Sequence, residues 1–180
     1  MRSTIATLLV AGALCSGGTT ILSAQKVEGF GLGYSDLGPT LGLGGLGSGG
    51  LSFGGRFEKA LKALPNLGNG VLALQISANY YHYSADFLTV NYGFTYIPIG
   101  ATANYHIHVS NPKFDPFVGA GIGYTIVSTT YTGSSGSGAY FIGRGGLRYY
   151  MKSGLALYGD VGAGASTVNL GVMFRMSGGK

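Results

Sequence analysis

The chain has 180 residues, among them 35 Gly, 13 Tyr, 9 Phe and no Trp, and a formal net charge of +5. Only 9% of its residues are charged, against about 25% in an ordinary soluble domain. A soluble β-domain of this size needs an outer coat of Lys, Glu, Asp and Arg to stay dispersed, and there is too little here to make one. No dense basic run or stacking platform is present, so nucleic acid is not an expected partner.

The first 24 residues read as a secretory signal peptide. Arg2 gives a positive start, Ile5 to Leu14 is apolar, and Leu22-Ser23-Ala24 offers a small-residue cleavage site before Gln25. The apolar run is too short for a membrane helix, which needs roughly 20 residues. Cys15 stands after Leu14 rather than after the Gly or Ala that a lipoprotein acylation site prefers. Cleavage after Ala24 removes Cys15, so the mature chain needs neither disulfide nor thiol. Residues 25–180 suit one domain.

Beyond residue 25 the pattern is period 2 nearly throughout, punctuated by Gly, Asn, Pro and Ser. It predicts eight strands, at about 27–45, 49–60, 70–83, 92–109, 116–131, 139–151, 154–162 and 166–176. The first is the least regular. Its Gly-rich run, Gly29 to Gly50 with Asp36 and Pro39, leaves open a bend or two short strands. In the second strand Ser52, Gly54, Arg56 and Glu58 share one face, opposite Leu51, Phe53 and Phe57. In the third, Gln75, Ser77, Asn79 and Tyr81 oppose Leu72, Leu74, Ile76 and Tyr80. In the fourth, Thr102, Asn104 and His106 oppose Ile97, Ile99, Ala101, Ala103 and Tyr105. In the fifth, Gly119, Gly121, Gly123 and Thr125 oppose Val118, Ala120, Ile122, Tyr124 and Ile126. The sixth sets Arg144, Gly146 and Arg148 against Phe141, Leu147 and Tyr149. The seventh sets Tyr158 and Asp160 against Leu155, Leu157 and Val161. The eighth alternates Asn169, Gly171, Met173 and Arg175 with Leu170, Val172, Phe174 and Met176.

Alternation alone does not say which face is inside. A soluble barrel hides its apolar face, whereas a membrane barrel shows it to lipid. The polar face here carries Gly, Ser, Thr, Asn and isolated charges. That is a poor coat for water but suits a narrow interior, where eight strands leave room for side chains rather than a wide channel. The expected fold is therefore all-β: an eight-stranded antiparallel up-and-down transmembrane β-barrel, closed because a bilayer cannot satisfy open sheet edges. Tyr80, Tyr83, Tyr92, Phe94, Phe117, Tyr131, Tyr149 and Phe174, near strand ends, would form interfacial girdles. Ordinary β-propensity accounts for some of them. Lone charges inside need partners. Arg56, Glu58, Arg144, Arg148, Asp160 and Arg175 are the candidates for a lumen charge network, with Arg144 or Arg148 against Asp160 across one hairpin. Lys59, Lys62, Lys113 and Lys152 read as solvated turn and strand-end residues.

Two segments carry a resemblance to a known group. The last strand, with polar Asn169, Gly171, Phe174 and Met176 in register, resembles the terminal recognition signal of outer-membrane β-barrels. Met176 stands where an aromatic is commoner, and the tail Ser177-Gly178-Gly179-Lys180 follows. Asp115-Pro116-Phe117-Val118-Gly119-Ala120-Gly121-Ile122-Gly123-Tyr124 resembles the Pro-aromatic-x-Gly-x-Gly-x-Gly strand of the small outer-membrane barrels, the opacity-type and outer-membrane protein A- and X-like group. The resemblance implies a chain inserted into the cell outer membrane by the barrel assembly machinery, with outer-membrane lipid as its surroundings.

Chemistry is sparse. His106 and His108, at i and i+2, could share a metal, but no carboxylate or Cys stands next to them, so neither metal nor cofactor is expected. The Gly-x-Gly runs at 29–33 and 119–123 lack a following helix and are not phosphate loops. His108-Val109-Ser110-Asn111 resembles the His-x-Ser-Asn motif of the outer-membrane lipid A deacylases. There a Ser nucleophile, a His and an acid about a dozen residues on act together. Ile122 stands at the acid's position, and the nearest acid, Asp115, reads as part of a Pro-flanked turn. With a periplasmic N-terminus, surface loops would fall near 45–49, 83–92, 131–139 and 162–166, and Ser134-Ser135-Gly136-Ser137-Gly138 would be a flexible tip. Loops this short argue against a dedicated adhesin. The leading reading is a non-enzymatic envelope barrel with a filled lumen. A small pore or hydrophobic-solute conduit, for which Ile142 and Met173 are the only inward apolar hints, is the alternative. A deacylase-like enzyme stands third, and a soluble ligand-binding barrel fourth. Nothing in the pattern names a ligand or an oligomeric state.

Overall fold

A computed structural model describes residues 29–45, 50–87, 90–129 and 136–177. The expected leader at 1–24, most of the loop at 45–49 and the Ser134-Ser135 start of the tip lie outside them. Eight strands follow in chain order: β1 (Ser35–Leu43), β2 (Leu51–Leu64), β3 (Gly70–Phe87), β4 (Val90–His106), β5 (Phe114–Thr129), β6 (Gly138–Lys152), β7 (Leu155–Ala163) and β8 (Val168–Ser177). Each pairs antiparallel with its neighbours in sequence, and β1 pairs with β8, closing the barrel. The closing seam runs from Asp36 opposite Arg175 to Leu43 opposite Val168, with a register shift between Ser35 and Asp36. Closure leaves no unpaired strand edge, the requirement for a sheet surrounded by hydrocarbon.

Side chains alternate across this wall with the polarity of a soluble barrel reversed. Arg56, Glu58, Gln75, Asn104, Arg148 and Asp160 are buried inside, while Leu51, Phe53, Ile76, Ile99, Ile122 and Phe141 stand outside. Ile122 is 64% exposed and Phe141 85%. The inward and outward sets read from the sequence for β2 to β8 are the observed ones. Exposed on the outer wall are the expected girdle residues Tyr80, Tyr149 and Phe174; Tyr83 and Phe94, paired with each other, share the register face of Tyr81 and Thr102 and so stand on the lumen side of the rim instead. The side chains of Tyr92 and Tyr131 lie outside the described residues.

Several expectations change. The first strand begins at Ser35 rather than at 27. Gly33, at φ 80°, takes a left-handed conformation open to Gly at little cost, and the Tyr34 N–H donates to the Gly31 carbonyl. That turn carries Phe30 across the barrel mouth instead of along the sheet. Phe117, expected in a girdle, is 2% exposed and faces the lumen. Its parity with Gly119 on the same strand turns it inward, and its aromatic character alone was a misleading guide.

One end of the barrel holds the short connections 65–69, 107–113 and 153–154 and the two strand ends Ser35 and Ser177. The opposite end holds connections 44–50, 88–89, 130–137 and 164–167. β3 and β4 pair as far as Phe87 opposite Val90, so the loop expected at 83–92 is mostly strand.

Candidate functional site

The inward faces build one continuous polar network, and every strand contributes to it. Arg148 of β6 reaches across the lumen to two carboxylates. Its Nη1 donates to Asp36 Oδ2 of β1 at 2.7 Å, and its Nη2 donates to Glu58 Oε2 of β2. His106, at the end of β4, bridges two acids, with Nε2 2.8 Å from Glu58 Oε1 and Nδ1 2.8 Å from Asp115 Oδ1 of β5. Nearer the other end, Asp160 of β7 gathers Arg56 Nη1 and Arg144 Nε at 2.6 Å each, Asn169 Nδ2 of β8 at 2.7 Å, and the Tyr158 hydroxyl. Arg144 also donates to the Ser166 carbonyl at 3.0 Å, and Ser166 Oγ donates to Asn169 Oδ1 at 2.6 Å.

Gln75 of β3 joins the two halves. Its Oε1 accepts from Arg56 Nη1 at 3.3 Å and from Asn104 Nδ2 at 3.1 Å, and the same Asn104 nitrogen donates to Glu58 Oε1 at 2.8 Å. Buried charges are tolerated only when paired and hydrogen-bonded. Here four arginines (Arg56, Arg144, Arg148, Arg175) face four carboxylates (Asp36, Glu58, Asp115, Asp160) plus His106. Arg suits the work, since its planar fork bonds two acceptors at once; Arg148 does this with Asp36 and Glu58.

An aromatic layer lies under the network at the short-turn end. Phe117, Tyr150, Ala156, Tyr158 and Met173 form a buried cluster, with Phe30 packed against it. The Phe30 ring stacks on His106 at 4.0 Å between centroids, and the Arg148 guanidinium lies 4.8 Å from the Phe30 centroid. Arg56 sits 4.3 Å from the Tyr158 ring and Arg175 3.8 Å from the Tyr34 ring, both within cation–π range. A cavity of about 10 Å³ lies between Arg56, Asn79, Tyr140 and Arg144, roughly the space of a single water. A larger hollow of about 450 Å³ opens at the short-turn end beside Phe30, His106, His108 and Phe114.

All six residues expected in the lumen network point inward, and the structure joins five of them through ion pairs. Arg144 is the arginine that takes Asp160; Arg148 goes to Glu58 and Asp36 instead. Arg175 sits at the mouth against Tyr34 and Tyr150. Sequence reasoning missed Asp36, Gln75, Asn104, His106, Asp115 and Asn169 as members. Parity was a usable signal for most of them: Asp115 lies two residues before Phe117 and four before Gly119. It is the second residue of β5 rather than part of a turn, because Pro116 near a strand start costs no ladder bond that the strand needs. Of the terminal motif, Asn169 and Gly171 face the lumen, while Phe174 and Met176 face outward.

The residues with chemical promise are not brought together. His108 lies beyond the end of β4 in the 107–113 connection and is exposed, so it does not share a site with His106. No group of three or more His, Cys, Asp or Glu side chains among the described residues is arranged to hold a metal ion; the two ring nitrogens of His106 are taken by Glu58 and Asp115. Ser110 is exposed in the same turn, and Asp115 is engaged with His106 rather than with His108. Ile142 and Met173 both point inward, but Met173 belongs to the aromatic cluster and Ile142 lines the small polar cavity.

No family model matches the chain, and no curated protein matches it. Among solved structures it is similar to Ail, the attachment invasion locus protein of Yersinia pestis, in complex with the heparin analogue sucrose octasulfate. That match has a TM-score of 0.48 and 12% identity over 81% of this chain and 99% of that one. Neisserial surface protein A matches with a TM-score of 0.47 and 16% identity over 79% and 93%. The N-terminal β-barrel domain of Pseudomonas aeruginosa OprF matches with a TM-score of 0.46 and 19% identity over 82% and 100%. All three are small outer-membrane barrels of eight strands.

Proposed function

We propose that this chain is an integral outer-membrane β-barrel with a lumen filled by side chains, non-enzymatic, serving a structural or envelope-interaction role. The observation that carries this reading is the inverted polarity. A wall of exposed Leu, Ile, Phe and Tyr surrounds a buried network of paired charges. In water such a wall is an aggregation surface far beyond the few hundred Å² of apolar patch a monomer normally shows. In a bilayer it is the expected lipid contact. Arginines and carboxylates joined through Gln75, Asn104 and His106 into a network that cross-braces all eight strands favour a scaffold over a conduit. The separate surroundings of Ile142 and Met173 give a hydrophobic pathway no support. The short turns and termini are assigned to the periplasmic side, and the terminal strand Asn169, Gly171, Phe174 and Met176 to recognition by the barrel assembly machinery.

The test is to refold the mature chain in detergent and run it on a gel with and without boiling, then record from planar bilayers. A heat-dependent mobility shift and absence of steady conductance are expected. Solubility without detergent and no shift would replace the membrane reading with a soluble barrel. A shift accompanied by stable stepwise conductance would keep the membrane reading and replace the filled lumen with a pore.

A further inference from the structure

The charged side chains are sorted by type as well as by face. Among the residues whose side chains are described, every arginine and every acidic group points into the lumen or its mouth, and the fixed charges facing outward are four lysines: Lys59, Lys62, Lys113 and Lys152. None of the four makes an ion pair among the described residues. All four sit at the short-turn end. Lys59 pairs in register with Ser35, the first residue of β1. Lys62 lies two residues before the end of β2, Lys113 immediately precedes β5, and Lys152 ends β6. At the opposite end the outer wall shows exposed Leu51, Phe53 and Tyr80.

Two features point to the occupant of this rim. The lysines extend from β2 to β6, and in a closed ring of eight strands these two stand on opposite sides of the barrel. A single protein face or groove would meet one side; a plane perpendicular to the barrel axis meets both. The apolar wall also begins directly beside them, at Phe57, Leu61, Phe114 and Met151, all exposed. A basic ring bordering an apolar band is the arrangement that sets ammonium groups at headgroup level while the wall stands in acyl chains. Lysine suits this place and arginine the lumen, because an ammonium on a flexible stem keeps its hydration while reaching a phosphate.

We infer that Lys59, Lys62, Lys113 and Lys152 form a docking ring for anionic phospholipid headgroups in the leaflet at the short-turn end, fixing the depth and the direction in which the barrel sits. The inference rests on the membrane reading above. With the termini periplasmic, the ring meets the periplasmic leaflet, and the opposite end of the apolar wall meets the outer one.

The test uses the refolded full mature chain in phosphatidylcholine vesicles with and without phosphatidylglycerol, alongside the variant K59Q/K62Q/K113Q/K152Q. Spin-labelled lipids report the relative association of phosphatidylglycerol and phosphatidylcholine with the barrel. The wild type should prefer phosphatidylglycerol about fivefold, the equivalent of one lysine near an anionic surface, and should lose the preference in high salt. The variant should show the same heat-dependent mobility shift, proving it folded, with no preference. An unchanged preference in the variant, or none in a wild type that has inserted, overturns the ring and leaves the membrane reading intact. A wild type that neither shifts on the gel nor sediments with either vesicle overturns both.

Discussion

Arg148 is the residue on which most of the lumen converges, with Asp36 and Glu58 as its acceptors and the Phe30 ring beside it. Arg148→Ala strands two buried carboxylates, and breaking a buried pair from one side costs about 3–5 kcal/mol. The expected result is an unfolding free energy, from urea titration in detergent, lowered by that amount, with part of the loss recovered in Arg148→Ala/Glu58→Gln, because the second change removes one of the stranded charges. Equal losses in single and double variants would mean that the pair is not coupled. Phe30→Ala is a milder change. It removes the stack on His106 and the contact with Arg148, and should cost about 1–2 kcal/mol by the same measurement. The network's charged members were partly legible as lone charges on otherwise Gly- and Ser-rich faces. Its neutral members Gln75 and Asn104 were placed inward by parity, but a sequence does not say that their amides meet between two ion pairs.

At the scale of the strand, the seam between β1 and β8 is the decisive element, since closure of the whole sheet depends on it. Gly171 lies opposite Thr40 there, and a Cβ added at Gly171 would stand 2.5 Å from the Pro39 carbonyl oxygen and 2.9 Å from Thr40 Cγ2. The Pro39 oxygen belongs to backbone and cannot give way cheaply. Gly171→Val should therefore abolish the heat-dependent mobility shift during unassisted refolding in detergent. Leu170→Ala, which trims an outward side chain next to it, should leave the shift in place. Loss of the shift only in cells, with normal refolding in detergent, would assign Gly171 to recognition rather than to closure. Strand existence and facing were readable from period-2 alternation over β2 to β8. The start of β1 was not, because a Gly-rich segment has no side-chain pattern to reveal where Gly33 turns it across the mouth.

For the molecule as a whole, the outer wall gives a prediction that separates lipid from water as its surroundings. Ile122 stands mid-strand on β5 and is 64% exposed. Ile122→Arg should destabilise the barrel by about 2–4 kcal/mol in vesicles, the cost of a cation on the lipid face near the bilayer midplane. On a water-facing wall the same change would be close to neutral, so a neutral result in vesicles would count against the lipid contact. A network drawing on all eight strands also predicts one cooperative unfolding transition. Circular dichroism and the gel mobility shift should lose the folded state at the same urea concentration; separated midpoints would show that part of the wall opens independently.

The sequence by itself determined the strand number, the antiparallel order and the two faces of the sheet. Alternation is local, and a one-residue slip would turn every side chain to the wrong side. Composition determined which face the apolar residues take, because too few charges exist to coat the outside. Only the tertiary structure decided which charges meet. Arg148 and Asp36 are 112 residues apart and Arg56 and Asp160 are 104 apart, and their contact depends on closure, strand tilt and side-chain reach across the lumen. The gathering of outward lysines at one rim likewise emerges only when the register places separate strand ends on a common plane.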